Sequence, residues 1–273
     1  MSTLRILCSS VGVLAVFCAL GSFGPNASAD IPDVVFEITA QSGGVVSTFE
    51  VTKEMQNLHV TQPNGRGRGG SEGWAFCLRQ PVELRSGETL LGTISDLRIS
   101  VFEDPEVNLN FAVQAGASDT TFHIASALLE FDTITNAEGR ASAAVSVTDF
   151  NPFDGDAVLT GVGDTGGAYL AQYNGWAGNQ QFPSGDPDPL GITFTEGIMQ
   201  PVVATFGGTQ TANHNVDWTA ITQEDPYDMS SLMSFDLTAN DLASGTSTFV
   251  IVPEPISLAV VLVGGLALLR RRS

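Results

Sequence analysis

Between Ala141 and Pro253 the sequence contains no lysine and no arginine, although thirteen acidic residues stand in that stretch. From Asp30 to Pro253 the count is 29 acidic side chains against seven basic ones, a net charge of −22. Such a chain repels nucleic acid phosphates and anionic headgroups, so nucleic acid is excluded as a partner. The acids are read as a solvated surface, screened beyond about 8 Å at physiological ionic strength, with a bound divalent cation as the alternative. Lysine occurs once, as Lys53, and follows no glycine-rich loop, which removes a phosphate-cradling nucleotide site.

Cysteine is almost as scarce. Cys8 and Cys18 fall in the first 29 residues, which leaves Cys77 without an intrachain partner in the rest of the chain. Packing, alone or with a metal, must therefore hold the fold. In "WAFCL" alternation puts Trp74, Phe76 and Leu78 on one face and Ala75 and Cys77 on the other, and Cys77 reads as a small buried apolar residue.

The first 29 residues have the make-up of an export signal. Arg5 precedes an apolar stretch from Ile6 to Phe23, and Ala27-Ser28-Ala29 supplies the small residues that signal peptidase needs ahead of Asp30. Residues 1–29 are thus read as a leader, which makes the export machinery and signal peptidase the first partners.

Helical periodicity is also missing from the body of the chain, where "TKEMQNLHV" is the best short helix candidate. Alternation with period two is everywhere instead: "VVFEITA", "VVSTFEVT", "EVNLNFAVQAG", "TTFHIASALLEF", "ASAAVSVT" and "SLMSFDLTA". Gly43-Gly44, Asn64-Gly65, Asn136 to Gly139, Asp154-Gly155, Gly166-Gly167, Asn174-Gly175 and Gly207-Gly208 separate these runs with residues suited to tight turns. Residues 30–251 are therefore predicted to form one all-β domain, a two-sheet antiparallel β-sandwich of jelly-roll type.

Catalytic patterns are weak. Gly69-Gly70-Ser71-Glu72-Gly73 matches the spacing of a serine-hydrolase elbow, but it lies in a glycine-rich loop with no helix to follow it. His59, His123 and His214 lack the spacing of a zinc-binding helix, and His123, between Phe122 and Ile124, is expected to face solvent. Close carboxylate pairs arise by chance among so many acids and do not identify a glycosidase. No catalytic residue is assigned.

Two stretches remain as candidate binding sites. "DFNPFDGDAVLTGVGD" brings Asp149, Asn151, Asp154, Asp156 and Asp164 together on turns, oxygens of the kind a calcium ion takes, although the EF-hand spacing fails at Phe153 and Thr160. Solvated turn residues are the other reading of these acids. "GAYLAQYNGWAG" clusters Tyr169, Tyr173 and Trp176, rings that could stack on a sugar; Tyr169 and Tyr173 fall on one strand face, so core packing is the default for at least one of them, whereas Trp176 is expected to be accessible.

The C-terminal residues 252–273 read "VPEPISLAVVLVGGLALLRRRS". The 14-residue run from Ile256 to Leu269 spans about 21 Å as a helix, short of the roughly 30 Å hydrocarbon core. Arg270, Arg271 and Arg272 would hold its end on the cytoplasmic side. Val252, Pro253, Glu254 and Pro255, then the apolar helix, then the arginines, resemble the PEP-CTERM sorting signal. The resemblance covers 22 of the 273 residues. It implies recognition by a membrane-embedded exosortase in an exopolysaccharide-producing bacterium, insertion in the inner membrane that is transient or permanent, and delivery to the cell surface or matrix. It transfers a route and no activity. The expectation is a non-enzymatic surface or matrix protein without a cofactor other than a structural calcium ion. A carbohydrate-binding module for exopolysaccharide is the alternative, and a secreted hydrolase the third reading.

Overall fold

The alternating runs form strands because one row of each can be buried while the other stays wet. The computed structural model describes residues 31–61, 72–102, 104–151, 153, 155–163, 165–175 and 191–254. The leader with Ala27, Ala29 and Asp30, the residues Asp154, Asp164 and Trp176, and the tail from Pro255 to Ser273 lie outside the described residues.

In chain order, β1 (Val34–Ser42) turns into β2 (Val45–Thr52), a three-residue 3-10 turn occupies Lys53–Met55, and β3 (Leu58–Thr61) and β4 (Glu72–Cys77) follow. Next come β5 (Val82–Ser86), β6 (Thr89–Phe102), β7 (Glu106–Ala115), β8 (Thr120–Ser126), β9 (Leu129–Glu130) and β10 (Ala137–Thr148). The last seven are β11 (Ala157–Gly161), β12 (Tyr169–Tyr173), β13 (Ile192–Gly197), β14 (Val202–Ala204), β15 (Thr209–Ala220), β16 (Asp228–Leu237) and β17 (Leu242–Pro253). Among the described residues they make two antiparallel sheets, one of nine strands along the path β13-β12-β16-β8-β1-β2 and one of eight along β15-β10-β17-β7-β6-β4-β3.

Both sheets turn their apolar rows into one core, so the β-sandwich expected from the alternation is present. Val107, Leu109, Phe111 and Val113 of β7 are buried, as are Phe36, Ile38, Phe122, Ile124, Met233 and Phe235 from the facing sheet. Phe111 and Phe235 stack across the gap with ring centroids 5.9 Å apart, a geometry worth about 1 kcal/mol beyond the area it buries. A Cβ on Gly245 of β17 would lie 2.7 Å from the Phe111 ring, so only glycine leaves room there for that stack.

Several local expectations are revised. "TKEMQNLHV" is not a helix: after the short turn at Lys53–Met55, Leu58–Thr61 pairs with β4. "TTFHIASALLEF" is two strands: β8 stays in register with β1 as far as the Ala127 N–H, which donates to the Val35 carbonyl at 2.9 Å, whereas Leu129–Glu130 pairs with β16, and Leu129 rather than Leu128 is buried. Cys77 is half-buried and unpaired, with Sγ 3.7 Å from the Leu78 carbonyl oxygen. Among the described residues no helix is long and apolar enough to cross a membrane.

The ends of the sandwich are distinct. β17 runs from Leu242, opposite Thr148, to Pro253, opposite Ala137, and Glu254 then donates its N–H to the Asn136 carbonyl at 2.7 Å. β1 enters at that same end, while the β16–β17 connection and the Gly43-Gly44 turn lie at the other. The tail therefore leaves the domain about 40 Å from the far end, the rise of a twelve-residue strand.

Candidate functional site

At the far end two loops are clamped to one another. Residues 149–156 join β10 to β11 and residues 205–208 join β14 to β15. Thr148 pairs with Thr209 on one side and Ala157 with Ala204 on the other, so each loop is tied to its neighbour at both ends. Asp149 fixes the turn further: its N–H donates to the Gly208 carbonyl at 3.1 Å, and its Oδ2 accepts the Gly207 N–H at 2.8 Å.

This clamp holds three phenylalanines out in solvent. Phe150 is 66% exposed, Phe153 95% and Phe206 90%. Phe206 also has φ = 53°, a left-handed conformation that a bulky side chain rarely adopts. Strain of this kind persists only where its surroundings impose it, and here the Asp149 bonds to Gly207 and Gly208 do so. Exposed aromatic rings on two loops tied to one another mark interaction sites more often than scattered single residues do.

Beside these loops a cleft of about 400 Å³ opens on the outer face of the nine-stranded sheet. Its floor follows the register: Gln41 is opposite Thr121, Thr121 opposite Asp236, and Asp236 opposite Thr160. Ser42 and Asp119 close one side. Thr121 donates its hydroxyl to Asp236 Oδ1 at 2.5 Å, Asp119 Oδ1 accepts the Ala239 N–H at 3.0 Å, and the Ser42 hydroxyl donates to the Asp119 carbonyl at 2.6 Å. Hydroxyls and carboxylates in this arrangement suit a neutral, hydroxyl-rich ligand and repel an anionic one.

One strand step inward, His123 Nδ1 lies 2.7 Å from Ser234 Oγ. Alternation places His123 on the outer face as expected, yet it is half-buried there rather than solvated. Burial pushes its pKa below the ordinary imidazole value, against a smaller opposite pull from Asp236. A serine, a histidine and a nearby acid are the parts of a nucleophile, but the Ser234 N–H donates to the Ala168 carbonyl at 2.9 Å. That amide is spent in the sheet and cannot hold an oxyanion. Because the folded state disfavours the charged ring, the stability that neutral His123 contributes is complete above the unfolded pKa near 6.5 and is lost as pH falls through the folded value. Glu37, whose pKa burial raises, acts oppositely as pH rises above 4.5. The urea midpoint is thus expected to drop between pH 7 and pH 5.5, and His123→Gln should flatten that drop while leaving the Glu37 contribution in place.

The tyrosines of "GAYLAQYNGWAG" do not form a sugar platform. Tyr169 and Tyr173 lie in β12, between β13 and β16, where all five residues are buried. Burial raises both phenol pKa values, with Ser231 partly offsetting it at Tyr169 and Glu224 adding to it at Tyr173. Competition from the core wins because β12 is covered on both faces. Of the calcium candidates, Asp149 is buried, Asn151 half-buried and Asp156 exposed, and among the described residues no group of three or more His, Cys, Asp or Glu could hold a metal.

The exposed phenylalanines were the residues that reading the sequence missed. The available signal was an aromatic side chain amid turn formers, as in "DFNPFDGD" and "FGG", where no alternating partner can pull the ring into a core. At the tail end Trp218 is also partly exposed, but the Arg140 guanidinium sits 5.3 Å from its ring centroid and occupies one face.

No protein-family model and no curated protein matches the chain. Among solved structures it is similar to TmCBM61, determined in complex with β-1,4-galactotriose, at 9% identity and a TM-score of 0.24, covering 67% of this chain and 88% of that one. A likeness at that TM-score assigns no residue a role.

Proposed function

We propose that the chain is an exported, non-enzymatic surface or matrix protein whose jelly-roll-type module holds neutral exopolysaccharide at the end remote from its C-terminal tail. The observation that supports this most is the joint display of Phe150, Phe153 and Phe206 beside a cleft lined by hydroxyls and carboxylates. Flat apolar rings stack on the C–H faces of sugars, and the cleft accepts and donates to their hydroxyls. The polarity of the molecule fits as well. With the tail handed to the membrane through Pro253, Glu254 and Pro255, the phenylalanines point away from the bilayer and into the surrounding polymer.

The test is retention of residues 30–254 on neutral polysaccharide, including the exopolysaccharide of the source cell. Binding is expected for the wild type, and Phe150→Ala combined with Phe153→Ala and Phe206→Ala should weaken it about tenfold or more, the equivalent of about 1.4 kcal/mol. The three rings are already exposed, so the melting temperature should hold. Failure of the wild-type module to bind any neutral polymer overturns the polysaccharide reading.

A further inference from the structure

We propose that Asp149 and Asp241 bind a hard divalent cation beneath the far-end loops. β10 and β17 pair through Thr148 and Leu242, and the next position outward sets Asp149 opposite Asp241. Each is only 3% exposed. Asp241 Oδ1 accepts the Phe150 N–H at 3.2 Å and its Oδ2 accepts the Thr238 hydroxyl at 2.5 Å, while Asp149 Oδ2 takes Gly207. Asp149 Oδ1 is buried with no hydrogen-bond partner at all.

Two buried carboxylates facing each other across adjacent strands repel, and a buried carboxylate oxygen without a partner is costly. The stretch that carries both, from Ala141 to Pro253, contains no lysine or arginine, and Arg140 is held over Trp218. A cation at Asp149 Oδ1 supplies the partner that oxygen lacks and offsets the charge of the pair. Oxygen donors select a hard ion, and calcium tolerates an irregular shell of carboxylate, main-chain oxygen and water, which suits a pair with no third acid grouped with it among the described residues. The consequence reaches the surface: the same two carboxylates hold Gly207 and Phe150, so the ion orders the backbone that presents the exposed rings. The site goes beyond the polysaccharide reading, and its test reads no sugar.

Full-length mature protein stripped with chelator and dialysed is melted with and without calcium or magnesium at fixed ionic strength. Calcium is expected to raise the melting temperature by about 5 to 10 °C at a hundredfold excess over its dissociation constant. Asp149→Asn and Asp241→Asn should each abolish that rise, whereas Asp156→Asn, on an exposed neighbour, should keep it. Calorimetric titration of the unaltered protein, expected to give one ion per chain, decides the matter should either variant fail to fold. Wild type that neither binds nor responds to calcium or magnesium overturns the site. So does a response kept in Asp149→Asn and lost in Asp156→Asn. Asp149→Asn that is more stable than wild type, with no ion effect, would identify a protonated acid and overturn it equally.

Discussion

A chain ending at Glu254 is expected to unfold cooperatively, and a chain ending at Gly245 is expected not to fold. β17 is central in the eight-stranded sheet, paired with β10 along its whole length and with β7 from Leu242 to Val250. Stopping at Gly245 removes Phe249, Val250 and Ile251, all buried, each contributing about 1.5 to 3 kcal/mol. It also leaves β10 and β7 with open edges facing one another. That loss consumes much of a net stability of about 5 to 15 kcal/mol. Near-ultraviolet circular dichroism and urea unfolding distinguish the two chains. A cooperative transition in the shorter one would show that β17 is dispensable. The result bears on processing, because a protease that removes the tail has to cut beyond the strand, at Pro253 or later, to release a folded domain.

How far this was legible beforehand depends on the range of the interaction. Alternation is local, and in β7 and β10 it marks the buried row residue by residue, because each strand has one wet face. In β16 it marked the buried row Met233, Phe235 and Leu237, and core packing was the default for at least one tyrosine of β12, as their burial bears out; what it missed is that both faces of these two strands are covered. The turn residues were readable for a similar local reason: Gly43, Asn136, Gly155, Gly166, Asn174 and Gly207 all adopt positive φ. The carboxylate pair was not. The sequence groups Asp149 with its chain neighbours Asn151, Asp154, Asp156 and Asp164 as calcium candidates. The acid facing Asp149 is Asp241, which only the β10–β17 register reveals. The exposed phenylalanines depend likewise on two loops that meet through pairings between distant strands.

The proposed delivery route makes the largest cellular prediction. Protein extracted from the cell surface is expected to begin at Asp30 and end between Pro253 and Pro255, with no peptide from Ile256 to Leu269. The strand holds the chain up to Pro253, and Glu254 is exposed although its N–H is bonded to Asn136. Proline at 255 has no N–H to give to a sheet, and it stands where the resemblance places the recognised motif. A 14-residue apolar run with three terminal arginines is long enough to halt an exported chain and short for a permanent span. Replacing Pro253, Glu254 and Pro255 by alanine leaves that run and the arginines intact. The folded domain should survive, since Pro253 and Glu254 are both exposed, yet the uncut precursor should accumulate in the membrane fraction and the surface form should vanish. Mass spectrometry of both fractions reads the outcome. Full-length wild-type chains carrying Arg270 to Ser273 at the mature surface would instead make the tail a lasting anchor.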